Sequence, residues 1–589
     1  MASNTAVFNL SSLNGTNGND TLIGSDLADI INGLAGSDRI TGNQGNDTLT
    51  GGGGEDKFVY NLDDGTDAIV DFGGVGTETN PTAAVITEVD TLIFQGAGLS
   101  ARNLLFTQNG SNLEIAFEEV ANTKVILQNF TLENLDNLRK STGASVDLDN
   151  ILFDGQTSIQ DSFDVFNANS TQTTIFNENT VTFLNDLNNN VNGFDNSDDV
   201  INGQGGNDYI NGKSGNDLLR DGSGNNTLNS GASDDNLNVD HSTGDNLLSG
   251  DDGNDTISAS GEYPNPASGN NTLNGGAGDD ILNVDNSTGD KLLSGGDGND
   301  TLSASNNPSY PYGFSASIFL GNNTLNGGVD DDTLDASFST GDNLLSGGSG
   351  NDSLSASGSY DFIYGGDAAS GNNTLNGGSG DDTLNIDYST GDNLLFGGDG
   401  NDSLSGSGYY YEGYYYIMSG NNTLNGGAGN DTLSIDYSKG DNLLSGGNGN
   451  DILSAIAALG SNTLDGGNGN DILTSGNGND TLYGGNGTDT FVFNSFNDGV
   501  DILYDFNATN ERIQVLAAGF GGGLSTPSLS ASQFTQGASA TTIAQRFIYD
   551  NTTGALYFDQ DGSASAFTQV QIAQLSAGVS LTKNNFAVV

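Results

Sequence analysis

The sequence predicts an all-β fold in which very short strands stack in successive layers. Aspartates recur with a strict nine-residue period near the N-terminus, and an apolar residue follows each of them two positions later. The aspartates are Asp20, Asp29, Asp38, Asp47 and Asp56, and the apolar residues are Leu22, Ile31, Ile40, Leu49 and Phe58. Nine residues suit a tight glycine-rich turn and a short strand with its apolar residue inward, whereas an α-helix has no such period. The glycines are placed periodically as well, which indicates a required turn geometry rather than a flexible chain.

Composition limits the ligands and partners of the chain. The sequence has 76 acidic and 13 basic residues, with a formal net charge of -63, so a compact chain repels itself strongly unless cations take part in the fold. Nucleic acid phosphates and anionic lipids are therefore excluded as favourable partners. The absence of cysteine and the single histidine, His241, exclude disulfides, thiolate zinc sites and multi-histidine sites. Hard oxygen ligands remain, and a flexible site with many oxygens favours Ca²⁺ over Mg²⁺.

One nonapeptide carries a specific family signature. Residues 466–474 have the sequence G-G-N-G-N-D-I-L-T, which matches every position of the calcium-binding repeat G-G-x-G-x-D-x-U-x. The chain thus resembles the RTX, or hemolysin-type calcium-binding, family. This resemblance implies a parallel β-roll in which two nonapeptides make one coil and calcium lies between glycine-rich turns along each edge. Asp20 is then expected to lie over Asp38, and Asp29 over Asp47.

A longer period appears in the second half of the chain. The sequence G-N-N-T-L-N begins at Gly224, Gly269, Gly321, Gly371 and Gly420, and a related sequence begins at Gly460. Within the unit that starts at Gly269, we expect Leu273, Leu282, Leu292 and Leu302 to point inward. Each unit would then supply two coils of the roll.

The two edges of this second roll differ in their predicted ligands. The main calcium edge is expected to contain Asp235, Asp255, Asp280, Asp300, Asp332, Asp352, Asp382, Asp402, Asp431, Asp451 and Asp471. Further candidate metal ligands are Asp208, Asp217, Asp480 and Asp489, together with the five N-terminal aspartates. On the opposite edge, asparagines replace the aspartates at Asn226, Asn271, Asn323, Asn373 and Asn422, and they alternate with a Ser-Thr-Gly-Asp turn that is one residue longer. Because calcium affinity depends on ligand charge, we predict weaker or fewer sites on that edge.

Aromatic insertions precede several of the G-N-N-T-L units. They contain Tyr263, Tyr310, Tyr312, Tyr360, Phe362, Tyr364, Tyr409, Tyr410, Tyr411, Tyr414, Tyr415 and Tyr416. Insertions on one face of a repeat protein often form its binding face, and tyrosine is a contact residue of low entropy cost. The alternative is that these rings pack on one another and cover the roll.

The predicted organisation has six segments. These are an N-terminal lead (1–13), a first roll (14–60), a β cap (61–140), an Asn- and Thr-rich connector (141–197), a second long roll (198–493) and a C-terminal cap (494–589). The sequence from Asp498 to Phe506 and the final residues 585–589 resemble the C-terminal domain of RTX proteins exported by type I secretion. Asn585 departs from that likeness, because an acidic residue is expected before Phe586. The resemblance implies the type I secretion machinery as a partner and an extracellular location, in keeping with the absence of an N-terminal secretory pattern.

Two functions are compatible with the sequence. The first is a secreted calcium-binding repeat protein that acts as a surface, matrix or adhesion element, with a cell surface, a polysaccharide or another copy as partner. The alternative is an exported RTX toxin or hydrolase with an unrecognised active site. The sequence has neither H-E-x-x-H nor G-x-S-x-G, and it has no apolar stretch of about 18 residues. We therefore expect no enzymatic activity, no transmembrane segment and, for His241, a solvated turn position.

Overall fold

A computed structural model describes residues 11–156, 160–262, 266–306, 321–358, 369–411, 414–416 and 418–589. The chain divides into two compact units, Met1–Val239 and Asp240–Val589. The regular structure of both units consists almost entirely of strands of two to seven residues. The described helices are single turns, α1 (Ala83–Ile86) and α2 (Ala517–Phe520), with 3₁₀ turns at Ala101–Asn103, Leu132–Asn134, Lys140–Thr142 and Lys583–Asn585.

The strands of the first unit are short because a turn follows each one. They are β1 Ser11–Asn14, β2 Thr21–Ile23, β3 Asp29–Asn32, β4 Arg39–Thr41, β5 Thr48–Thr50, β6 Lys57–Asn61, β7 Gly65–Ile69, β8 Thr91–Gln95, β9 Leu104–Asn109, β10 Asn112–Phe117 and β11 Thr123–Leu127. They continue with β12 Asn137–Leu138, β13 Leu148–Asp149, β14 Ile151–Leu152, β15 Phe163–Val165, β16 Val181–Phe183, β17 Asn190–Asn192, β18 Val200–Asn202, β19 Tyr209–Ser214, β20 Leu218–Arg220, β21 Thr227–Ala232 and β22 Asn236–Asn238.

Alternate strands of the first unit belong to opposite sheets, as a two-repeat coil requires. One sheet has the order β1-β3-β5-β7-β11-β10-β9 and the other has the order β14-β8-β6-β4-β2. Leu22 pairs with Ile40, and Ile31 pairs with Leu49, both in parallel register. These residues are 0–8% exposed, so the apolar position of each repeat forms the core. The β cap continues the same two sheets through β7 and β8, and β9 to β11 close one of them with antiparallel pairs.

Parallel strand stacking is also present in the Asn- and Thr-rich connector, before the predicted start of the second roll at residue 198. In the Asn- and Thr-rich connector, β15 pairs with β16, β16 pairs with β18, and β17 pairs with β19, all in parallel. The connector has few glycine-rich turns, so its coils lack the repeat signature even though their strands stack in the same way.

The strands of the second unit repeat the same plan. They are β23 Leu247–Asp252, β24 Thr256–Ser258, β25 Thr272–Ala277, β26 Ile281–Asn283, β27 Lys291–Asp297, β28 Thr301–Ser303, β29 Asn323–Val329, β30 Thr333–Asp335, β31 Leu344–Ser349, β32 Ser353–Ser355, β33 Thr374–Ser379, β34 Thr383–Asn385, β35 Leu394–Asp399, β36 Ser403–Ser405, β37 Tyr409–Tyr411 and β38 Tyr414–Tyr416. They continue with β39 Thr423–Ala428, β40 Thr432–Ser434, β41 Leu443–Asn448, β42 Ile452–Ser454, β43 Thr463–Gly469, β44 Ile472–Thr474, β45 Thr481–Tyr483, β46 Asn486–Gly487, β47 Thr490–Phe493, β48 Asp501–Leu503, β49 Arg512–Val515, β50 Phe534–Gln536, β51 Phe547–Asp550, β52 Ala555–Phe558, β53 Val570–Leu575 and β54 Phe586–Val588.

Two long parallel arrays form the second unit. One contains β24, β26, β28, β30, β32, β34, β36, β40, β42, β44, β47, β49 and β54 in that order. The other runs from β23 and β25 through the odd-numbered strands to β35, then β39, β41, β43, β45 and β48. Strands β53, β52 and β51 extend this second array, and Phe520, Phe547 and Phe558 pack together in the same C-terminal region. The predicted parallel β-roll is therefore the fold of the repeats.

One predicted core position was wrong. Leu273, Leu282 and Leu302 are fully buried as expected, but Leu292 is 47% exposed and Leu293 is buried instead. The register pairs Leu273 with Leu293 because the preceding Ser-Thr-Gly-Asp turn is one residue longer than the other turns. A one-residue shift moves a strand residue to the opposite face of its sheet.

In the part of the chain that the structure describes, no helix is long and apolar enough to cross a membrane.

The inward leucines predict a clear mutational contrast within one strand. Leu384 is fully buried between Leu354 and Leu404 of the adjacent coils, whereas its neighbour Thr383 is exposed. We expect Leu384→Ala to lower the unfolding free energy in calcium buffer by about 2–5 kcal/mol, since it leaves a cavity in the core. Urea unfolding of both variants checks this expectation, and Thr383→Ala should stay within about 0.5 kcal/mol of the parent.

Candidate metal centre

A continuous row of aspartates lines one edge of the second unit. The backbone N–H of each aspartate donates a hydrogen bond to Oδ1 of the aspartate one coil further along, with N–O distances of 2.7–2.9 Å. The row, here called the aspartate ladder, consists of Asp255, Asp280, Asp300, Asp332, Asp352, Asp382, Asp402, Asp431, Asp451, Asp471 and Asp489. The turns predicted to share the main edge therefore do so from Asp255 to Asp471, and Asp489 continues their row.

The ladder carboxylates are buried, and from Asp280 onward only one oxygen of each has a hydrogen-bond partner among the described residues. Every member is at most 2% exposed. Within the described residues, the second carboxylate oxygen, Oδ2, has no hydrogen-bond partner at Asp280, Asp300, Asp332, Asp352, Asp382, Asp402, Asp431, Asp451, Asp471 and Asp489. A buried ionised oxygen without a partner is costly, so a row of them requires a bound cation or a proton.

Glycine makes room for these carboxylates and for the neighbouring coil. A Cβ on Gly377 would lie 2.2 Å from Oδ2 of Asp382, so the glycine five residues before the aspartate leaves space for the carboxylate. Gly296 has a φ of 133°, and a Cβ there would lie 1.9 Å from the carbonyl oxygen of Gly276 in the adjacent coil. Backbone carbonyls and carboxylates therefore crowd together at the turns, which is the set of hard oxygen donors that Ca²⁺ prefers.

Burial shifts the acidity of the ladder. Desolvation raises the pKa of Asp280, Asp332 and Asp382 to about 7, and that of Asp300 and Asp471 to about 6. The hydrogen bond from the neighbouring backbone N–H partly opposes this effect, and repulsion from nearby carboxylates adds to it. Without a metal ion the ladder therefore favours protons over ionised oxygens at the acidic side of neutrality.

Both edges of the first unit carry aspartates. Asp20 bonds to Asp38, Asp38 to Asp56 and Asp56 to Asp90, while Asp29 bonds to Asp47 and Asp47 to Asp67, all from backbone N–H to Oδ1 at 2.7–2.8 Å. The predicted stacking of Asp20 over Asp38 and of Asp29 over Asp47 is confirmed.

Asp67 and Asp90 were not predicted from the sequence. Asp67 lies 20 residues after its partner Asp47, and Asp90 lies 34 residues after its partner Asp56. Two nonapeptides would separate stacked aspartates by 18 residues, so the nine-residue period does not predict these two positions. Desolvation raises the pKa of each to about 8.

A second stretch of stacked turns in the first unit contains the candidates Asp208, Asp217 and Asp235. Asp217 donates its backbone N–H to Oδ1 of Asp235, and Asp199 donates in the same way to Asp217. Asp199 was missed although it lies 18 residues before Asp217. Asp208 lies in a different row, between Asn189 and Asn226.

Asparagines line the opposite edge of the second unit. Their backbone N–H groups also donate to Oδ1 of the next coil, from Asn323 through Asn343, Asn373, Asn393, Asn422, Asn442 and Asn462 to Asp480 and Asp501, at 2.7–3.2 Å. The side-chain amide of Asn373 donates to Oδ1 of Asn393 at 2.9 Å and to the carbonyl of Gly371 at 3.1 Å. An amide N–H thus lies next to the turn carbonyls. In this row, here called the asparagine edge, the side-chain amides hydrogen-bond to turn carbonyls and to one another.

Carboxylates return at the end of the asparagine edge. Asp480 was predicted as a ligand, but Asp501 was missed because it lies 21 residues further on, outside the repeats. Burial, followed by repulsion from Asp480, raises the pKa of Asp501 to about 8.

Other predicted features fall partly outside the described residues. Tyr263, Tyr310, Tyr312, Tyr360, Phe362 and Tyr364 lie outside them. Strands β37 and β38 form an antiparallel hairpin that pairs Tyr409 with Tyr416, so the largest tyrosine insertion has its own strand pairing. His241 is exposed in a turn with a φ of 62°, as expected.

A carboxylate cluster lies apart from the repeats. Asp136, Asp161 and Asp164 each place an oxygen within 4.8 Å of the others, beside a cavity of about 220 Å³. Burial raises the pKa of Asp164 to about 7. This cluster was not predicted from the sequence, because its members come from the cap and the connector and not from the repeats.

The stacked turns define the class of protein: a repeat protein whose parallel coils present buried carboxylates to a cation. The family model of the RTX calcium-binding nonapeptide repeat matches residues 12–36, 23–58, 195–219, 211–240, 242–261, 267–286, 287–306, 320–338, 339–369, 367–385, 389–408, 417–434, 438–455 and 456–492. These segments cover more than half of the chain, which therefore belongs to the RTX family and is a calcium-binding protein of that type. No curated protein sequence matches the chain.

Neighbouring aspartates of one turn allow a matched test of the ladder. Asp382 is buried in the ladder, whereas Asp381 is exposed and accepts hydrogen bonds from Asn401. We expect Asp382→Asn to raise the calcium concentration at the folding midpoint by roughly two- to fivefold, because calcium affinity depends on ligand charge. Asp381→Asn should leave the midpoint unchanged. Equal effects in calcium titrations followed by circular dichroism would contradict the assignment of the ladder.

The raised pKa values predict opposite pH responses with and without calcium. Because the folded-state pKa values of the ladder lie above that of an ordinary aspartate, the calcium-free fold gains stability as pH falls and loses it as pH rises through about 6 to 7. In chelator, we expect more β structure at pH 5 than at pH 8. In saturating calcium the trend should reverse, since protons compete with calcium for the same oxygens. Thermal unfolding across this pH range measures both slopes.

Proposed function

We propose that this protein is an exported calcium-binding repeat protein that folds outside the cell and serves there as a structural or adhesive element. The observation that carries this proposal is the aspartate ladder, whose buried Oδ2 atoms need a cation. A chain with a net charge of -63 that depends on calcium for its fold suits a medium that supplies calcium.

Calcium would act as a folding switch. In a calcium-poor cytosol the ladder carboxylates repel one another, so the chain stays unfolded and competent for export. Outside the cell, calcium at about 10⁻⁴ to 10⁻³ M is sufficient for the affinities typical of extracellular modules. The Oδ2 atoms of the ladder and the carbonyls of the glycine turns would hold the ions. Because the unfolded chain lacks preformed sites, the free energy of binding becomes free energy of folding.

Export is assigned to the C-terminal cap, residues 494–589, through its resemblance to the type I secretion domain of RTX proteins. At the position where that likeness predicts an acidic residue, the Asn585 amide oxygen accepts the N–H of Thr582, and its amide N–H group donates to the carbonyl of Ala508. The residue therefore has a structural role in the folded cap. The type I machinery is the proposed partner during export, and the extracellular space is the proposed location.

A binding or scaffolding role is favoured over catalysis. Stacked repeats and their flanking caps occupy most of the chain. Calcium binding accounts for the buried aspartates of the repeats, so these residues need no catalytic role. The tyrosine hairpin β37–β38 is the proposed contact with a cell surface, a polysaccharide or another copy, since tyrosine presents a large ring at low entropy cost.

Calcium dependence tests the central claim. Protein purified in chelator should show a cooperative transition from coil to β structure in far-ultraviolet circular dichroism between sub-millimolar and millimolar calcium. Magnesium should fail to produce it, because Mg²⁺ demands a strict octahedral site and gives up water reluctantly. A spectrum indifferent to calcium would show that the repeats fold through other contacts and would refute the proposal.

The tyrosine hairpin tests adhesion separately from folding. We expect replacement of the six tyrosines of β37 and β38 by serine to reduce attachment to surfaces or polysaccharide while the calcium transition stays intact. The same replacement of Tyr483 and Tyr504, whose rings lie 4.8 Å apart, serves as the control. Unchanged attachment with a lower melting temperature would mean that the hairpin packs on the roll and is not a binding face.

A further inference from the structure

The asparagine edge extends back from Asn323 to Asn271 and Asn246, where the backbone N–H of Asn246 donates to Oδ1 of Asn271 at 3.0 Å, and a lysine interrupts it at one position. The turn Ser-Thr-Gly-Asp is followed by asparagine at Asn246, Asn343 and Asn393, but by lysine at Lys291. In the parallel register Lys291 pairs with Asn323, so it takes the place of an asparagine in the row.

The lysine ammonium is buried among backbone carbonyls. Lys291 is only 3% exposed. Its Nζ donates hydrogen bonds to the carbonyls of Thr288 at 2.5 Å, Gly289 at 2.9 Å and Gly269 at 2.7 Å. Thr288 and Gly289 belong to its own turn, whereas Gly269 belongs to the preceding coil. The ammonium therefore joins two coils through three carbonyl oxygens.

An asparagine at the equivalent position makes related but different contacts. The side-chain amide of Asn393 donates to the carbonyl of Gly391 at 2.8 Å, which corresponds to the Gly289 carbonyl, and to Oδ1 of Asn422 at 2.9 Å. Its second contact is with a side chain of the next coil, whereas the lysine contacts a backbone carbonyl of the preceding coil. The lysine thus replaces a neutral amide with a full positive charge at the same turn.

The exchange leaves neighbouring polar groups without partners. Among the described residues, the Asn271 amide nitrogen and the Ser287 hydroxyl are buried and have no hydrogen-bond partner. Their counterparts have partners in another unit: the side-chain amide of Asn373 donates to Oδ1 of Asn393, and the Ser389 hydroxyl accepts from the amide of Asn393. The carboxylates of Asp290 and Asp245 attract the Lys291 ammonium and oppose the lowering of its pKa by burial. Oxygens on several sides therefore favour a cation at this point.

We propose that the Lys291 ammonium is a resident cation of the asparagine edge: it occupies a carbonyl-lined site between two coils and makes that rung of the roll independent of calcium. The proposal rests on the proposed calcium-dependent fold, and it identifies a position in that fold where an ammonium group takes the place of calcium. A covalently attached ammonium cannot be removed by chelator, so this site needs no calcium ion wherever the two coils are folded.

Native mass spectrometry of calcium-saturated protein tests this site by counting bound calcium ions. In Lys291→Asn the asparagine row becomes continuous, so the count should equal that of the parent. Lys291→Asp places a carboxylate beside the same three carbonyls, so it should bind one calcium ion more. A parental count in Lys291→Asp, with its fold verified by circular dichroism, would overturn the proposal. A count one lower in Lys291→Asn would overturn it as well, because calcium would then depend on the lysine.

Chemical reactivity of the amine gives a second measurement on the unmutated chain. In calcium buffer, acetylation by an N-hydroxysuccinimide ester should modify Lys291 at least about tenfold more slowly than Lys140, because modification requires local opening. The Lys140 amine, 61% exposed, provides the internal reference. Equal rates in calcium-folded protein would overturn the proposal for Lys291 alone. If circular dichroism shows no calcium-induced fold and both lysines react equally, the calcium-dependent fold itself has failed.

Discussion

The fold depends on one interaction repeated along its edges: an aspartate accepts a hydrogen bond from the backbone of the adjacent coil through one oxygen and keeps the other for a cation. The first oxygen fixes the register between coils, as Asp382 does for Asp352. The second oxygen places negative charge where water has been excluded. The same side chain therefore specifies how the coils stack and opposes that stacking until a cation or a proton binds to its second oxygen.

The two edges of the second unit solve the same geometric problem with different chemistry. On the asparagine edge, Oδ1 accepts the backbone N–H of the neighbouring coil just as in the aspartate ladder, but an amide N–H replaces the second oxygen. That N–H satisfies a turn carbonyl, as Asn373 does for Gly371. This edge then needs no external ion for its hydrogen bonds, and weaker or fewer calcium sites there stay a prediction. A roll with one self-satisfied edge has fewer charges to neutralise for each coil.

Glycine and leucine have complementary roles in bringing the turns together. The leucines of successive coils pack in contact at the centre, so neighbouring turns lie one strand spacing apart. At that spacing a side chain on Gly296 would collide with the carbonyl oxygen of Gly276. The glycines are thus required by close approach as well as by positive φ. Core packing and metal coordination are consequently parts of one constraint, because a coil that stacks correctly for its leucine also aligns its carboxylate.

The sequence by itself determined the parallel β-roll, the inward apolar positions and most ladder aspartates, because a coil closed by two turns imposes a local period that the residues must follow. Where spacing departed from that period, the sequence was insufficient: it placed Leu292 inward instead of Leu293, and it missed Asp67, Asp90 and Asp501. Only the tertiary structure decided these positions, because insertions and caps change the number of residues between stacked turns without changing which turn lies over which. The unpartnered Oδ2 atoms and the carbonyl site of Lys291 likewise arise between coils, and contacts between coils depend on three-dimensional stacking that no single repeat encodes.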